Sequence, residues 1–151
     1  MNNPRATARL GGHPIHAILA PFPTACFVLT LLTDLAYWKT ASMPWANMSV
    51  WLLTVGLIVA AFVVLAGLAD FLGERRIRKL PVVYIHGVGN AVALVLAIAN
   101  AFIHSRDAYT SVAPAGLTLS ALTVLILLVT GWLGRQMVYR HGVGVRSEGD
   151  Q

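Results

Sequence analysis

Four long apolar runs dominate this sequence, and each is long enough to cross a lipid bilayer as one helix. They extend over about residues 15–38, 50–72, 82–103 and 115–138. A transmembrane helix needs roughly 20 apolar residues, and in lipid only helices or closed barrels satisfy the backbone hydrogen-bonding groups. Barrel strands would alternate apolar and polar residues, and these runs do not. The sequence therefore predicts an all-α protein with four membrane-spanning helices.

The connections between the runs are short, which predicts antiparallel neighbours in an up-down-up-down four-helix bundle. Only 11% of the 151 residues are charged, against about a quarter in soluble domains. So few charges cannot cover a water-facing surface, and a single transmembrane domain over residues 1–151 is expected, with the lipid bilayer as its main partner. We attribute the net charge of +5 to membrane orientation and expect no nucleic-acid binding.

Lysine and arginine are distributed unequally between the two predicted sides of the bundle. Nine lie before the first run, in the second connection, or at and beyond the end of the fourth run: Arg5, Arg9, Arg75, Arg76, Arg78, Lys79, Arg135, Arg140 and Arg146. Lys39 and Arg106 lie on the other side. Cytoplasmic loops are enriched in Lys and Arg, so both termini are predicted to be cytoplasmic. The polar, glycine-rich tail over residues 141–151 is predicted to be mobile.

Two prolines, Pro21 and Pro23, interrupt the first run. Each removes an amide donor and crowds the preceding turn, so the helix is predicted to be kinked or irregular around residues 20–24. The one cysteine, Cys26, lies inside the same run. It excludes an internal disulfide and any Cys-based zinc or iron–sulfur motif.

Polar and titratable side chains gather at the predicted cytoplasmic ends of the helices. His13 and His16 lie at the entry of the first helix, and Asp70 lies at the end of the second. His86 lies one turn into the third helix, and Asn90, four residues later, shares its face. His86 and Asp70 are embedded in apolar sequence, where an ionisable group is costly and normally faces the bundle interior with a partner. These residues form the candidate site.

The remaining histidines, His104 and His141, lie near helix ends in polar surroundings. For both, an ordinary position at the membrane interface is the favoured interpretation. His104 and Asp34 are the residues that a polar path on the outer side would have to reach if the chain were a small proton-coupled transporter. That alternative would also require an oligomer.

Three chemistries suit the candidate site, and the sequence leaves them open. Haem b takes two axial imidazoles from facing helices, and His16 and His86 qualify, with His13 and Asn90 as further cofactor-binding candidates. A non-haem metal ion could instead bind His13, His16, His86 and Asp70, because imidazole and carboxylate suit zinc, iron or copper. The third alternative is a structural polar network, or a quinone or proton site.

The stretch HPIHAILAPFPTACFVLTLLTDLAYW, and later GLADF and HGVGN, resemble a bacterial membrane protein family known as domain of unknown function 2231. The matching positions are His13, Pro14, His16, Phe22, Pro23, Asp70, His86 and Asn90. Many members look to have a proline and a further histidine where this chain has Ala17 and Pro21. The family is similar in layout to small membrane b-type cytochromes, and some members look to be fused to a Rieske-type domain. The resemblance implies a bacterial inner-membrane, multi-pass protein and favours electron transfer.

The function hypothesis is therefore a membrane redox or electron-transfer protein that binds haem b or another metal through a histidine cluster on the cytoplasmic side. The alternatives are a non-catalytic structural subunit of a membrane complex and the small proton-coupled transporter. The sequence shows no hydrolytic or transferase motif, so whether the chain is an enzyme stays open. A homo-oligomer or a larger membrane complex also remains open.

Overall fold

The computed structural model describes residues 3–106 and 112–145, and within them it contains four helical spans. The spans are Ile15–Thr40, Met43–Gly73, Pro81–His104 and Val112–His141. All four are long and apolar enough to cross a membrane. The prediction of an all-α, four-helix membrane protein is confirmed. The predicted mobile tail falls largely on residues 146–151, which lie outside the described residues.

The first span consists of two helices, α1 (Ile15–Leu19) and α2 (Pro21–Thr40), interrupted at Ala20. Pro21 has no amide hydrogen to donate to the carbonyl four residues earlier, and neither has Pro23. The Thr24 hydroxyl donates to the Ala20 carbonyl at 3.1 Å. The predicted irregularity around residues 20–24 is therefore present.

The second span, α3 (Met43–Gly73), begins seven residues before the predicted start at 50. The connection is thus only Ala41 and Ser42, and Ala41 adopts a left-handed conformation with φ of 51°. Pro44 lies in the first turn of α3, where its missing amide costs nothing. Ser49, two turns into the helix, is buried against Thr33 and Asp34 of α2.

The third span is α4 (Pro81–His104), preceded by the short 3₁₀ turn Ile77–Lys79. The fourth comprises the π-helical turn Val112–Gly116 and α5 (Leu117–His141). Helix α2 packs most closely on α3, and α4 packs most closely on α5; α2 also contacts α5, and α3 contacts α4. The chain is therefore two antiparallel helix pairs placed side by side.

The N-terminal segment folds against the end of the bundle. A two-residue turn, Gly11–Gly12, joins the short strands β1 (Arg9–Leu10) and β2 (His13–Pro14). Both glycines have positive φ, as the favoured hairpin turns require. The Gly144 amide donates to the Pro4 carbonyl at 2.9 Å, so the first and last described residues lie at the same end of the bundle.

Candidate functional site: paired histidines on a pseudo-two-fold axis

His16 in α1 and His86 in α4 face each other between the two helix pairs. Their ring centroids are 6.2 Å apart and the ring planes are inclined at 70°. Both side chains are partly buried. The two histidines that the sequence selected as the first ligand candidates are therefore brought together.

The two imidazoles are held in the same way. His16 Nδ1 lies 3.1 Å from the Val63 carbonyl oxygen in α3, and His86 Nδ1 lies 2.9 Å from the Thr130 carbonyl oxygen in α5. A carbonyl only accepts hydrogen bonds, so each Nδ1 carries the hydrogen; in the neutral imidazole Nε2 then presents a lone pair. This is the tautomer in which an imidazole binds metal through Nε2, with a backbone carbonyl on the other nitrogen.

A glycine one helical turn beyond each of these carbonyls makes room for the ring. A Cβ on Gly67 would lie 2.8 Å from His16 Nδ1, and one on Gly134 would lie 3.2 Å from His86 Cε1. Gly67 follows Val63 by four residues, and Gly134 follows Thr130 by four. Each helix pair thus supplies one histidine, one carbonyl and one glycine in the same arrangement.

This correspondence extends along the whole first and third spans. Each buried residue of the third span lies 70 positions after a buried residue of the first span. These pairs are Pro23 and Ala93, Phe27 and Ala97, Thr30 and Asn100, and Asp34 and His104. His16 and His86 have the same separation. The two helix pairs are consequently related by a pseudo-two-fold axis that passes between the two histidines.

Asn90 completes the surroundings of His86. Its amide nitrogen lies 3.3 Å from His86 Nε2 and 2.8 Å from the His86 carbonyl. The Thr130 hydroxyl donates to the Asn90 amide oxygen at 3.4 Å. The Asn90 amide therefore donates to His86 Nε2, which agrees with the His86 tautomer assigned from Nδ1.

The other predicted site residues lie elsewhere. His13 belongs to strand β2 and is exposed. Asp70 uses Oδ1 to accept the amide hydrogens of Thr7 at 2.6 Å and Ala8 at 2.8 Å. Among residues 3–106 and 112–145 no group of three or more His, Cys, Asp or Glu side chains could hold a metal ion. His16, His86 and Asn90 are thus the members of the predicted set that the fold brings together.

A second polar cluster lies at the opposite end of the bundle. The sequence indicated its residues Asp34 and His104 only as points that the polar path of a transporter would have to reach. Asp34 and His104 are buried, at 0% and 4% exposure, and His104 Nε2 lies 2.9 Å from Asp34 Oδ1. The expected interfacial position of His104 is not what the structure shows. The signal that could have found the pair is the 70-residue offset, because Asp34 follows His16 by the same 18 residues that separate His104 from His86.

The fold and the paired histidines define a four-helix integral membrane protein built from two similar helix pairs. The chain belongs to the predicted membrane protein family DUF2231, whose model matches residues 12–147. Neither the curated proteins nor the solved structures contain a match to this chain.

Proposed function

We propose that this protein is a membrane redox protein in which His16 and His86 are the two axial ligands of haem b, or the ligands of another metal. The observation that carries the proposal is the symmetric pair of imidazoles. Each Nδ1 is bound to a backbone carbonyl, which leaves Nε2 as the nitrogen that would bind the metal, and the ring centroids lie 6.2 Å apart. Binding at His86 would displace the Asn90 amide, whose nitrogen lies 3.3 Å from His86 Nε2.

The chemistry of the donor set favours haem over a metal ion held by protein ligands alone. A structural zinc site takes four protein ligands, whereas haem iron needs at most two axial side chains because the porphyrin supplies the rest. Two histidines from facing helices fit that requirement. When bound, haem would supply reversible one-electron chemistry; the chain's own groups would hold and orient the imidazoles.

The test is the visible spectrum of the detergent-purified protein, expressed with haem supplied and recorded before and after reduction with dithionite. A Soret band, with sharpened visible bands on reduction, is expected for the wild-type chain. His16→Ala and His86→Ala should each abolish that spectrum, and His141→Gln is the control that should keep it. His13→Gln should also keep it, because His13 is exposed in the hairpin. A featureless spectrum from folded wild-type protein would sink the haem assignment.

In that case elemental analysis distinguishes a non-haem metal site from a structural polar network. A bound metal lost in both His16→Ala and His86→Ala would support a non-haem metal at the same pair. Absence of metal would leave the alternative in which His86, Asn90 and Thr130 form a structural polar network within a membrane complex.

We also propose a bacterial inner-membrane location in which the bundle end carrying the paired histidines faces the cytoplasm. The support is the unequal distribution of Lys and Arg and the positive-inside rule. Fusion of alkaline phosphatase or green fluorescent protein after residue 151 tests it. Fluorescence without phosphatase activity is expected, and the reverse result would require the opposite orientation.

A further inference from the structure

We propose that His104 is a reversible proton-binding residue at the bundle end opposite the paired histidines, with Asp34 as its fixed counter-charge. The site lies far from the cofactor proposal. Helix α4 is continuous from His86 to His104, and 18 residues at 1.5 Å per residue span about 27 Å. The inference therefore does not depend on the presence of haem or any metal.

The hydrogen-bond geometry assigns the proton. His104 Nδ1 lies 3.1 Å from the Asn100 carbonyl oxygen, and His104 Nε2 lies 2.9 Å from Asp34 Oδ1. Both ring nitrogens thus face oxygen atoms. With Asp34 ionised, both oxygens are acceptors, and only an imidazolium has two N–H groups to donate. His104 is also the last residue of α4, where the helix dipole favours a positive charge. We therefore assign the pair as a buried imidazolium–carboxylate ion pair.

Asp34 is bound independently of His104. The Ser49 hydroxyl donates to Asp34 Oδ1 at 2.6 Å, and the Ser120 hydroxyl donates to Oδ2 at 2.6 Å. These serines lie on α3 and α5, so three helices hold the carboxylate. When His104 loses its Nε2 proton, the carboxylate keeps two short hydrogen bonds. The released proton passes to water, and the Nε2 lone pair then faces a carboxylate oxygen, which weakens the contact between α2 and α4.

The groups around the pair are otherwise uncharged. Thr33 Oγ1 lies 2.7 Å from Ser49 Oγ, and the Asn100 amide nitrogen donates to Ser120 Oγ at 2.8 Å. Tyr37, one turn beyond Asp34 in α2, is the other buried titratable side chain at this end of the described chain. The nearest Lys and Arg side chains in the described sequence, Lys39 and Arg106, are exposed. Loss or gain of the His104 proton is therefore the main change in charge at this end of the bundle.

Two features indicate that His104 exchanges a proton with water in addition to stabilising the helix packing. His104 is followed directly by the exposed residues Ser105 and Arg106, so a path to water needs only a short opening at the helix end. Within the described residues, the buried Asn100 Oδ1, on the amide whose nitrogen binds Ser120, makes no hydrogen bond. Buried polar atoms are normally paired, so the cluster keeps one open acceptor that a purely structural network would use.

The experiment is ¹⁵N NMR of ring-labelled histidines in the full chain, purified in detergent without added haem, with the His104 signals assigned by their loss in His104→Gln. As the pH is raised from 5, the wild-type protein should pass reversibly from a doubly protonated His104 to one with an unprotonated Nε2. Asp34→Asn should abolish the doubly protonated signal at neutral pH. Ser120→Ala should shift the transition, whereas Ser105→Ala, at an exposed hydroxyl, should not.

A neutral His104 in the wild-type protein at pH 5 would overturn the proposal. So would a doubly protonated His104 that persists until the protein unfolds, because the pair would then be a structural brace only. Both outcomes are read from the wild-type chain once its His104 signals are assigned, so neither depends on whether Asp34→Asn or Ser120→Ala folds.

Discussion

At the residue scale, an imidazole can be oriented inside a helix bundle only if it has both an acceptor and space. Val63 and Thr130 supply the acceptors, while Gly67 and Gly134 supply the space. Helix glycines cost about 1 kcal/mol each relative to alanine. Glycine at these two positions offsets that cost because a larger side chain would collide with the ring of His16 or His86.

We predict that Gly67→Ala and Gly134→Ala displace the imidazoles from their carbonyls and lower the free energy of unfolding. The loss of one such hydrogen bond is worth about 0.5–1.5 kcal/mol, and the steric conflict adds to it. Gly87→Ala and Gly131→Ala are matched controls, since a Cβ at either position meets nothing within 4 Å. Thermal unfolding in detergent, followed by circular dichroism, should show the controls unchanged or slightly stabilised. Equal losses in all four variants would contradict the steric role.

At the scale of elements, one carboxylate binds the segment just before strand β1 to the end of α3. Asp70, near the end of α3, accepts the amide hydrogens of Thr7 and Ala8 with a single oxygen. Each hydrogen bond to a charged group is worth about 1.5–3 kcal/mol. The segment that leads into α1, and hence His16, is positioned by this contact.

We predict that Asp70→Ala releases the N-terminal segment while the four spans stay folded. Hydrogen–deuterium exchange at Thr7 and Ala8 should accelerate strongly, and exchange within α4 should not change. Asp70→Asn keeps an acceptor oxygen without the charge and should give an intermediate rate. Unchanged exchange at both amides in Asp70→Ala would show that other contacts hold the segment.

The elements also show how far sequence reasoning reaches. The break at Ala20 could be predicted because proline acts through its own missing amide. The start of α3 at Met43 could not, because its first turns contain the polar residues Asn47 and Ser49, which interrupt the apolar run. Ser49 reads as loop-like in the sequence, yet it is fully buried against Thr33 and Asp34.

At the scale of the whole molecule, polar side chains are buried between the helices while large apolar side chains are exposed on the outside. The buried polar and charged residues are Thr30, Thr33, Asp34, Ser49, Asn100, His104, Ser120, Thr123 and Thr130. Large apolar side chains such as Leu65, Val95 and Phe102 are more than 60% exposed. Lipid solvates those side chains, so association of the spans depends on close packing and interhelical hydrogen bonds rather than on apolar burial.

We predict that Ala97→Leu separates the helices and destabilises the bundle by about 1–3 kcal/mol, the usual cost of overpacking. Ala97 is 0% exposed and clusters with Phe27 and Leu53 from the first and second spans. Ala99→Leu adds the same atoms at an exposed position of the same helix and should be neutral. The comparison is made by thermal unfolding in one detergent, and equal effects would contradict the assignment of the packed face.

The sequence by itself determined the membrane-spanning helices, the break in the first span and the choice of His16 and His86, because apolar length, proline chemistry and isolated ionisable groups are local properties. Only the tertiary structure decided that His13 and Asp70 lie apart from that pair, and that Asp34 meets His104 at the far end. Those outcomes depend on how two helix pairs dock about a pseudo-two-fold axis. That docking joins residues 70 positions apart, and no local pattern specifies it.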